Sequence, residues 1–246
     1  KYLQAHGAVL QDGQGQAVGA VIVLNDITRI RRLETVRRDF VANVSHELKT
    51  PITLIKGFVE TLQQGALQNK EEAQRFLKIM ARQVDRLNAI IEDLLSLSRL
   101  EQNSESSEMI LEDTELKTLL ESVIRDCELK TPDRSSVIHL SCDENLQASV
   151  NPPLLSQAVI NLVDNALKYS DPGKSVEIKV SQNTSEILIE VLDYGCGIGS
   201  EHLPRLFERF YRVDEARSRK LGGTGLGLAI VKHIAQAHHG RVSAHS

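Results

Sequence analysis

The chain has 246 residues, 41% hydrophobic and 25% charged, with a formal net charge of −4 and a pI near 6.1. That length has room for roughly two compact domains of ordinary globular composition, and the slightly acidic balance supplies no basic field, so nucleic acid is excluded as an expected partner. Cys127, Cys142 and Cys196 are scattered, with no Cys or His at metal-ligand spacing, so free thiols in a reducing, cytoplasmic setting are expected rather than a disulfide framework.

No apolar run reaches the length of a membrane span; Ala17 to Leu24 is far too short. No signal peptide opens the chain. It starts at Lys1 and stops at Ser246 after a strand-like start, so it is expected to be a piece of a longer protein. Any membrane contact would then lie in a region upstream.

Residues 1–29 alternate apolar runs around Asp12-Gly13-Gln14-Gly15, a hairpin signal. Two strands do not make a stable domain, so the hairpin is expected to be the tail of a larger sheet. From Ile30 the period changes. Leu33, Val36, Phe40, Val44, Leu48, Ile52, Ile55, Val59 and Leu62 step by three and four, a helical stripe that stops at Gln63-Gln64-Gly65. A second helix is predicted from about Lys70 to Leu100, with Leu77, Met80, Val84, Leu87, Ile91 and Leu94 in a 3-4 alternation and Phe76, Ile90 and Leu97 widening it. A lone hairpin covers only one side of each stripe, so pairing with a second copy into a four-helix bundle, a homodimer, is preferred over packing on the rest of the same chain.

Residues 102–108 are polar and aperiodic, a linker. Beyond it the patterns interleave: Glu115 to Cys127 helical, Val137 to Cys142 a strand, Pro152 to Tyr169 helical, then Val176 to Val180 and Ile187 to Leu192 as a strand pair. The fold class is therefore α+β. A helical hairpin (30–101) precedes an α/β sandwich (109–246) with a mixed or mainly antiparallel sheet.

Three groups of residues carry chemistry. His46 lies about 200° around the helix from both Val44 and Leu48, off the apolar stripe, with Glu47 beside it to accept an imidazole proton. Thr50 follows one turn on, and Pro51 removes an N–H from the ladder, which predicts a loosened helix there. For a lone histidine, an ordinary solvated one is the competing explanation. Next, Asn161, Asn165 and Lys168 fall within about 60° of one another on a helix, a face that suits magnesium and phosphate oxygens or is simply solvated. Last come Asp193-Tyr194-Gly195-Cys196-Gly197-Ile198-Gly199 after a strand and Gly222-Gly223-Thr224-Gly225-Leu226-Gly227 opening a helix. Glycines at a helix N-terminus expose N–H groups for phosphate. Other nucleotide motifs fail: residue 168 is Lys where a P-loop ending at Gly173-Lys174-Ser175 needs glycine, neither cluster reads G-x-G-x-x-G, and Asp193-Tyr194-Gly195 lacks its companion protein-kinase motifs.

FVANVSHELKTPIT (Phe40 to Thr53), NLVDNALKYS, DYGCGIG, FERFYR (Phe207 to Arg212) and GGTGLGLAIVK occur in this order. The chain resembles bacterial two-component sensor histidine kinases, of the phosphate-sensing type. VIVLNDITRIRRLE (Val21 to Glu34) resembles the end of a PAS sensor domain running into a dimerisation helix. The resemblance implies autophosphorylation of a histidine by ATP and transfer to an aspartate of a response regulator receiver domain, with dephosphorylation of that partner. His46 would be the phosphoacceptor, Glu47 the base, and Thr50 would position water for dephosphorylation. Asn165 would hold Mg²⁺ with Asn161 beside it, and Lys168 and Tyr169 would lie near the phosphates and nucleotide. Asp193 would read adenine in a pocket shaped by Gly195, Gly197 and Gly199. Gly223, Thr224, Gly225, Leu226 and Gly227 would cradle the phosphates under a lid at Tyr211 to Leu221. Asn151 replaces the family's usual Asp, and the family continues past Gly240-Arg241-Val242 with further strands, so 109–246 is expected to be truncated.

Two rival functions share these motifs. A shape-changing ATPase of the same nucleotide fold would carry Glu, a base for water, where this chain has Asn161. A catalytically dead dimeric scaffold would lack polar residues that are all present here.

Overall fold

The structure is a computed structural model that describes residues 1–106, 109–130, 138–171, 173–214 and 222–246, with backbone alone for 102–106 and 130. It comprises two compact units, Lys1–Thr53 and Leu54–Ser246.

The first unit opens with strands β1 (Leu3–Gln11) and β2 (Ala17–Asp26), paired antiparallel with a bulge between Leu10 and Gln11. Asp12 builds the turn by accepting from the N–H groups of Gln14 and Gln16, both at 2.9 Å, and Gly15 takes the required positive φ of 81°. Both strands are exposed along their whole length, with Val9, Val18, Ile22 and Leu24 uncovered. Helix α1 (Thr28–Gln63) then starts where the Asp26 carboxylate accepts from the Thr28 N–H at 2.9 Å. Its hydrogen bonds to Thr28 hold the Asp26 carboxyl below its ordinary value. The helix does not break at Pro51 but continues to Gln63.

In the second unit, the end of α1 turns at Gly65, whose φ of 125° favours glycine, and passes a short 3-10 turn (Ala66–Gln68) into α2 (Lys70–Ser106). Asn69 caps α2 by accepting from the N–H groups of Glu71 and Glu72 at 3.2 and 3.3 Å. Phe58 and Phe76 stack across the turn with centroids 5.0 Å apart. The linker expected at 102–108 is corrected in part: α2 carries on through Ser106, and 107–108 lie outside the described residues. Extending an established helix costs far less than starting one, so polar residues without an apolar stripe still follow it.

Strands β3 (Glu112–Glu115) and β5 (Gln147–Val150) pair antiparallel, while β4 (Ile138–Ser141), β6 (Val176–Gln182) and β7 (Ile187–Leu192) form a mixed sheet in the order β4-β6-β7, parallel then antiparallel. Helices α3 (Leu116–Lys130) and α4 (Pro152–Tyr169) supply Leu120, Val123, Val159, Val163 and Ala166 to a core shared with Ile138, Val176 and Ile178 of the sheet. The last helix, α5 (Gly227–Ala237), packs against both α4 and α2, burying Leu226, Ile230 and Ile234. On α2, Ile90, Leu97 and Leu100 are the buried partners, whereas Leu77, Val84 and Ile91 stay about half exposed. Of the three cysteines, Cys127 is buried in the core, Cys142 is half-buried and Cys196 is exposed. Among the described residues, no helix is long and apolar enough to cross a membrane.

Candidate functional site

His46 lies on α1 in the first unit and is exposed, with Glu47 and Leu48 partly covered beside it. Pro51 has no N–H to give the Glu47 carbonyl. Thr50 spends its hydroxyl on the helix itself, donating to the His46 carbonyl at 3.1 Å. The nucleophile candidate and the hydroxyl candidate thus share one turn of backbone.

The nucleotide candidates all lie in the second unit, around α4. Asn151 caps that helix by accepting from the Leu154 N–H at 3.1 Å, and Pro152 occupies its first turn. The Asn151 N–H in turn donates to His238 Nε2 at 2.9 Å, so His238 carries its proton on Nδ1 and gives it to the Ile234 carbonyl at 2.8 Å. This ties the start of α4 to the end of α5. The buried face of α4 is Ala158, Val159, Val163, Ala166 and Leu167. Leu162, beside that face, is only partly covered. Asn161, Asn165 and Lys168 are half-exposed on the remaining surface. The Asn161 amide donates to the Gly227 carbonyl at 3.3 Å, Lys168 pairs with Asp164 at 3.6 Å, and the Asn165 amide has no hydrogen-bond partner among the described residues.

Each glycine cluster is fitted to a neighbour. In the first, the Gly195 N–H donates to Asp193 Oδ1 at 2.9 Å, and Gly195 bridges to Ser170 at the end of α4. A Cβ at Gly195 would strike the Tyr169 carbonyl, so only glycine fits. In the second, Gly225 has a φ of 76°, and a Cβ there would lie 2.9 Å from Phe210 Cα. The Phe210 N–H donates to the Gly225 carbonyl at 2.7 Å, and Arg212 Nη2 donates to the Thr224 carbonyl at 2.7 Å. Phe210 itself sits at φ 63°, a left-handed conformation that a bulky residue rarely adopts. Arg212 and Phe210 were legible only as letters of a motif; nothing in the residue type of Phe announces such a backbone. Of the segment Tyr211 to Leu221, residues 215–221 lie outside the described residues.

Helix α2 also reaches this region. The Thr224 hydroxyl donates to Asp93 Oδ2 at 2.7 Å, Gln157 Nε2 donates to Ser96 Oγ at 3.1 Å, and Arg209 pairs with Glu101. His233 Nε2 lies 3.8 Å from the same Glu101 carboxylate. Burial, and then the Arg209 charge, hold His233 below its ordinary value. None of these α2 contacts has a sequence signal, because Asp93 and Glu101 read simply as polar positions beside a stripe.

Among the described residues no cluster of three or more His, Cys, Asp or Glu could hold a metal. Magnesium does not require one. It keeps several waters and phosphate oxygens and takes only one or two protein oxygens, a donor set that the Asn165 amide, with Asn161 one turn away, can supply.

Residues 36–103 match the His Kinase A (phospho-acceptor) domain, and residues 150–246 match the histidine kinase-, DNA gyrase B-, and HSP90-like ATPase family. The chain is similar to the sensor protein kinase WalK of Staphylococcus epidermidis, with 39% identity over 234 residues that cover 94% of this chain and 38% of that protein. WalK of Staphylococcus aureus is 38% identical over the same length, again covering 94% of this chain and 38% of the relative. The chain therefore spans well under half the length of these curated relatives. Among solved structures it is similar to the Acinetobacter baumannii histidine kinase AdeS, with a TM-score of 0.60 and 29% identity, covering 78% of this chain and 86% of that one. The histidine kinase ThkA, solved in complex with the response regulator protein TrrA, shares the fold at a TM-score of 0.68 and 20% identity, covering all of this chain (100%) and 72% of that one.

Proposed function

Since the chain belongs to the two-component sensor histidine kinases, we propose that it takes the γ-phosphoryl group of ATP onto His46 and passes it to an aspartate of a response regulator receiver domain. The observation that carries this is the placement of α4, which touches both glycine clusters: Asn161 lies against Gly227, and Tyr169 against Gly195. One helix thus joins the adenine candidate, Asp193, to the phosphate candidates, Gly223 to Gly227.

In the proposed reaction a ring nitrogen of His46 attacks the γ-phosphorus, the bond from that phosphorus to the ADP oxygen breaks, and Glu47 accepts the imidazole proton. Glycine N–H groups and Lys168 hold the phosphates. Asn165, with Asn161, would hold Mg²⁺, which offsets phosphate charge when bound. The exposure of His46 supports access both by the nucleotide and by a receiver domain. Thr50 would orient water in the reverse duty, dephosphorylation of the partner.

The same proposal includes a homodimer, supported by the half-exposed seam of Leu77, Val84 and Ile91, seven residues apart on α2. It reads β1 and β2, apolar and uncovered on both faces, as part of a PAS-type sensor sheet, and the whole as the cytoplasmic portion of a membrane-anchored protein.

Incubation with γ-labelled ATP and Mg²⁺ tests the central claim. Wild type should acquire acid-labile phosphate, and His46→Gln should bind ATP as well yet remain unlabelled. Persistent labelling of the variant, for example at His233 or His238, would move the acceptor elsewhere. Label appearing only as free phosphate would make the chain an ATPase.

A further inference from the structure

The two glycine clusters belong to different elements, one ending β7 and the other opening α5, yet a nucleotide must engage both at once. Besides α4, a second connection runs between them. The His202 N–H donates to the carbonyl of Gly199, the last residue of the first cluster, at 2.9 Å. The His202 ring faces Tyr211, with Nδ1 2.7 Å from the Tyr211 hydroxyl in a partly buried contact. The Glu201 carboxylate lies 3.6 Å from the other ring nitrogen, Nε2, and favours the proton there, so Nδ1 accepts from the tyrosine. The Tyr211 ring is covered by the Arg205 guanidinium, 4.2 Å from the centroid, and Arg205 is itself held by two contacts of 3.1 Å to Glu208.

Tyr211 stands between the two residues that grip the second cluster. Phe210 donates its N–H to Gly225, and Arg212 donates its guanidinium to the Thr224 carbonyl, each at 2.7 Å. Phe210 manages this only in the left-handed backbone at φ 63°, a costly state that persists where its surroundings enforce it. A tyrosine pinned on ring and hydroxyl is such an enforcement.

We propose that His202 and Tyr211 are positioning residues that hold the two glycine clusters in register, so that one nucleotide can span them. The proposal rests on reading the clusters as the adenine and phosphate sides of an ATP site. It gives the pair a selective effect. Ligands that reach both clusters feel the brace, and ligands that reach only the adenine side do not.

The test measures affinities of the full chain for the non-hydrolysable triphosphate AMPPNP and for adenosine, with melting temperatures alongside. Tyr211→Phe keeps the ring under Arg205 and deletes only the hydroxyl. It should weaken AMPPNP binding by about three- to tenfold, the scale of one hydrogen bond, and leave adenosine binding and melting unchanged. His202→Leu should match it, the double variant should lose no more than either alone, and His202→Gln should recover most of the loss. If wild type binds AMPPNP and Tyr211→Phe binds it equally well, the brace is refuted while the site stands. If both ligands and the melting temperature fall together, the pair is merely structural and the proposal is also refuted. If wild type binds neither ligand, the ATP-site reading fails first.

Discussion

The Thr224 hydroxyl, at the heart of the second glycine cluster, donates to the carboxylate of Asp93 on α2 at 2.7 Å, across 131 positions of sequence. Burial pushes the Asp93 carboxyl above its ordinary 3.8, against the opposing pull of Thr224 and Lys168. The folded chain therefore holds this proton more tightly than the unfolded chain. Asp93 then favours folding fully below 3.8, and that contribution is lost as pH rises through the folded value. Asp93→Asn keeps an acceptor for Thr224 and removes the charge. We predict that it gains stability relative to wild type between about pH 4 and pH 7. Melting curves of both proteins at the two pH values check this, and an unchanged gap would count against a desolvated carboxylate.

Thr50 separates two chemistries that share one histidine. Phosphoryl transfer to His46 needs a nucleophile, a base and ATP, and Thr50 supplies none of them. Its hydroxyl donates to the His46 carbonyl, which leaves the oxygen lone pairs to hold a water. We predict that Thr50→Ala keeps autophosphorylation within a few-fold and lowers partner dephosphorylation by ~10- to 100-fold, the scale of one lost positioning contact. If the hydroxyl serves only the helix, both rates and the melting temperature will fall in parallel.

The Asn165 side chain has no hydrogen-bond partner among the described residues and is half-exposed, so truncating it removes little from the fold. We expect Asn165→Ala to lose Mg²⁺-dependent ATP binding while melting within a degree or two of wild type, because exposed polar truncations cost only about 0.5 kcal/mol. Nucleotide titrations with and without Mg²⁺ read the outcome. Equal Mg²⁺ dependence in both proteins would place the metal elsewhere.

Val84 is 45% exposed in the single chain. A charge there disturbs no core of its own chain, yet it would lie at the centre of the proposed seam. Val84→Asp should convert a sedimenting dimer to monomer with helix content nearly unchanged. A wild-type chain that sediments as a monomer would count against the bundle.

How far the sequence speaks depends on the interaction being read. The apolar face of α4 announces itself because burial imposes a period on many residues at once, and α1 and α2 carry the same period although Leu33, Val36, Ile52 and Val84 stay exposed in the single chain. The caps at Asn151 and Asn69 are local, each set by one side chain and the next few N–H groups. Strand β3 escapes because Glu112-Asp113-Thr114-Glu115 is polar throughout and only partly covered, so no alternation marks it. The helical run through 102–106 escapes because it inherits its conformation from the turns before it. The contacts around the glycine clusters are the least legible. Phe210 at positive φ, Arg212 on Thr224 and Asp93 on Thr224 are each decided by residues from 12 to 131 places away in the chain, and single letters carry no trace of those distances.

The unequal burial of the three thiols turns the chain into its own reporter of opening. A thiol reagent at neutral pH meets Cys196 on the surface of the first glycine cluster, so the rate of that reaction should register whatever occupies the loop. Cys142 answers more slowly, since burial, with Asp143 adding to it, pushes its thiol up and thins its thiolate. Cys127, buried in the same core as Val123, Val163 and Ile178, becomes reachable only when that core opens. Pulsed alkylation followed by peptide mass analysis would therefore sort loop occupancy, local fraying and global unfolding within one sample, with no label added to the protein.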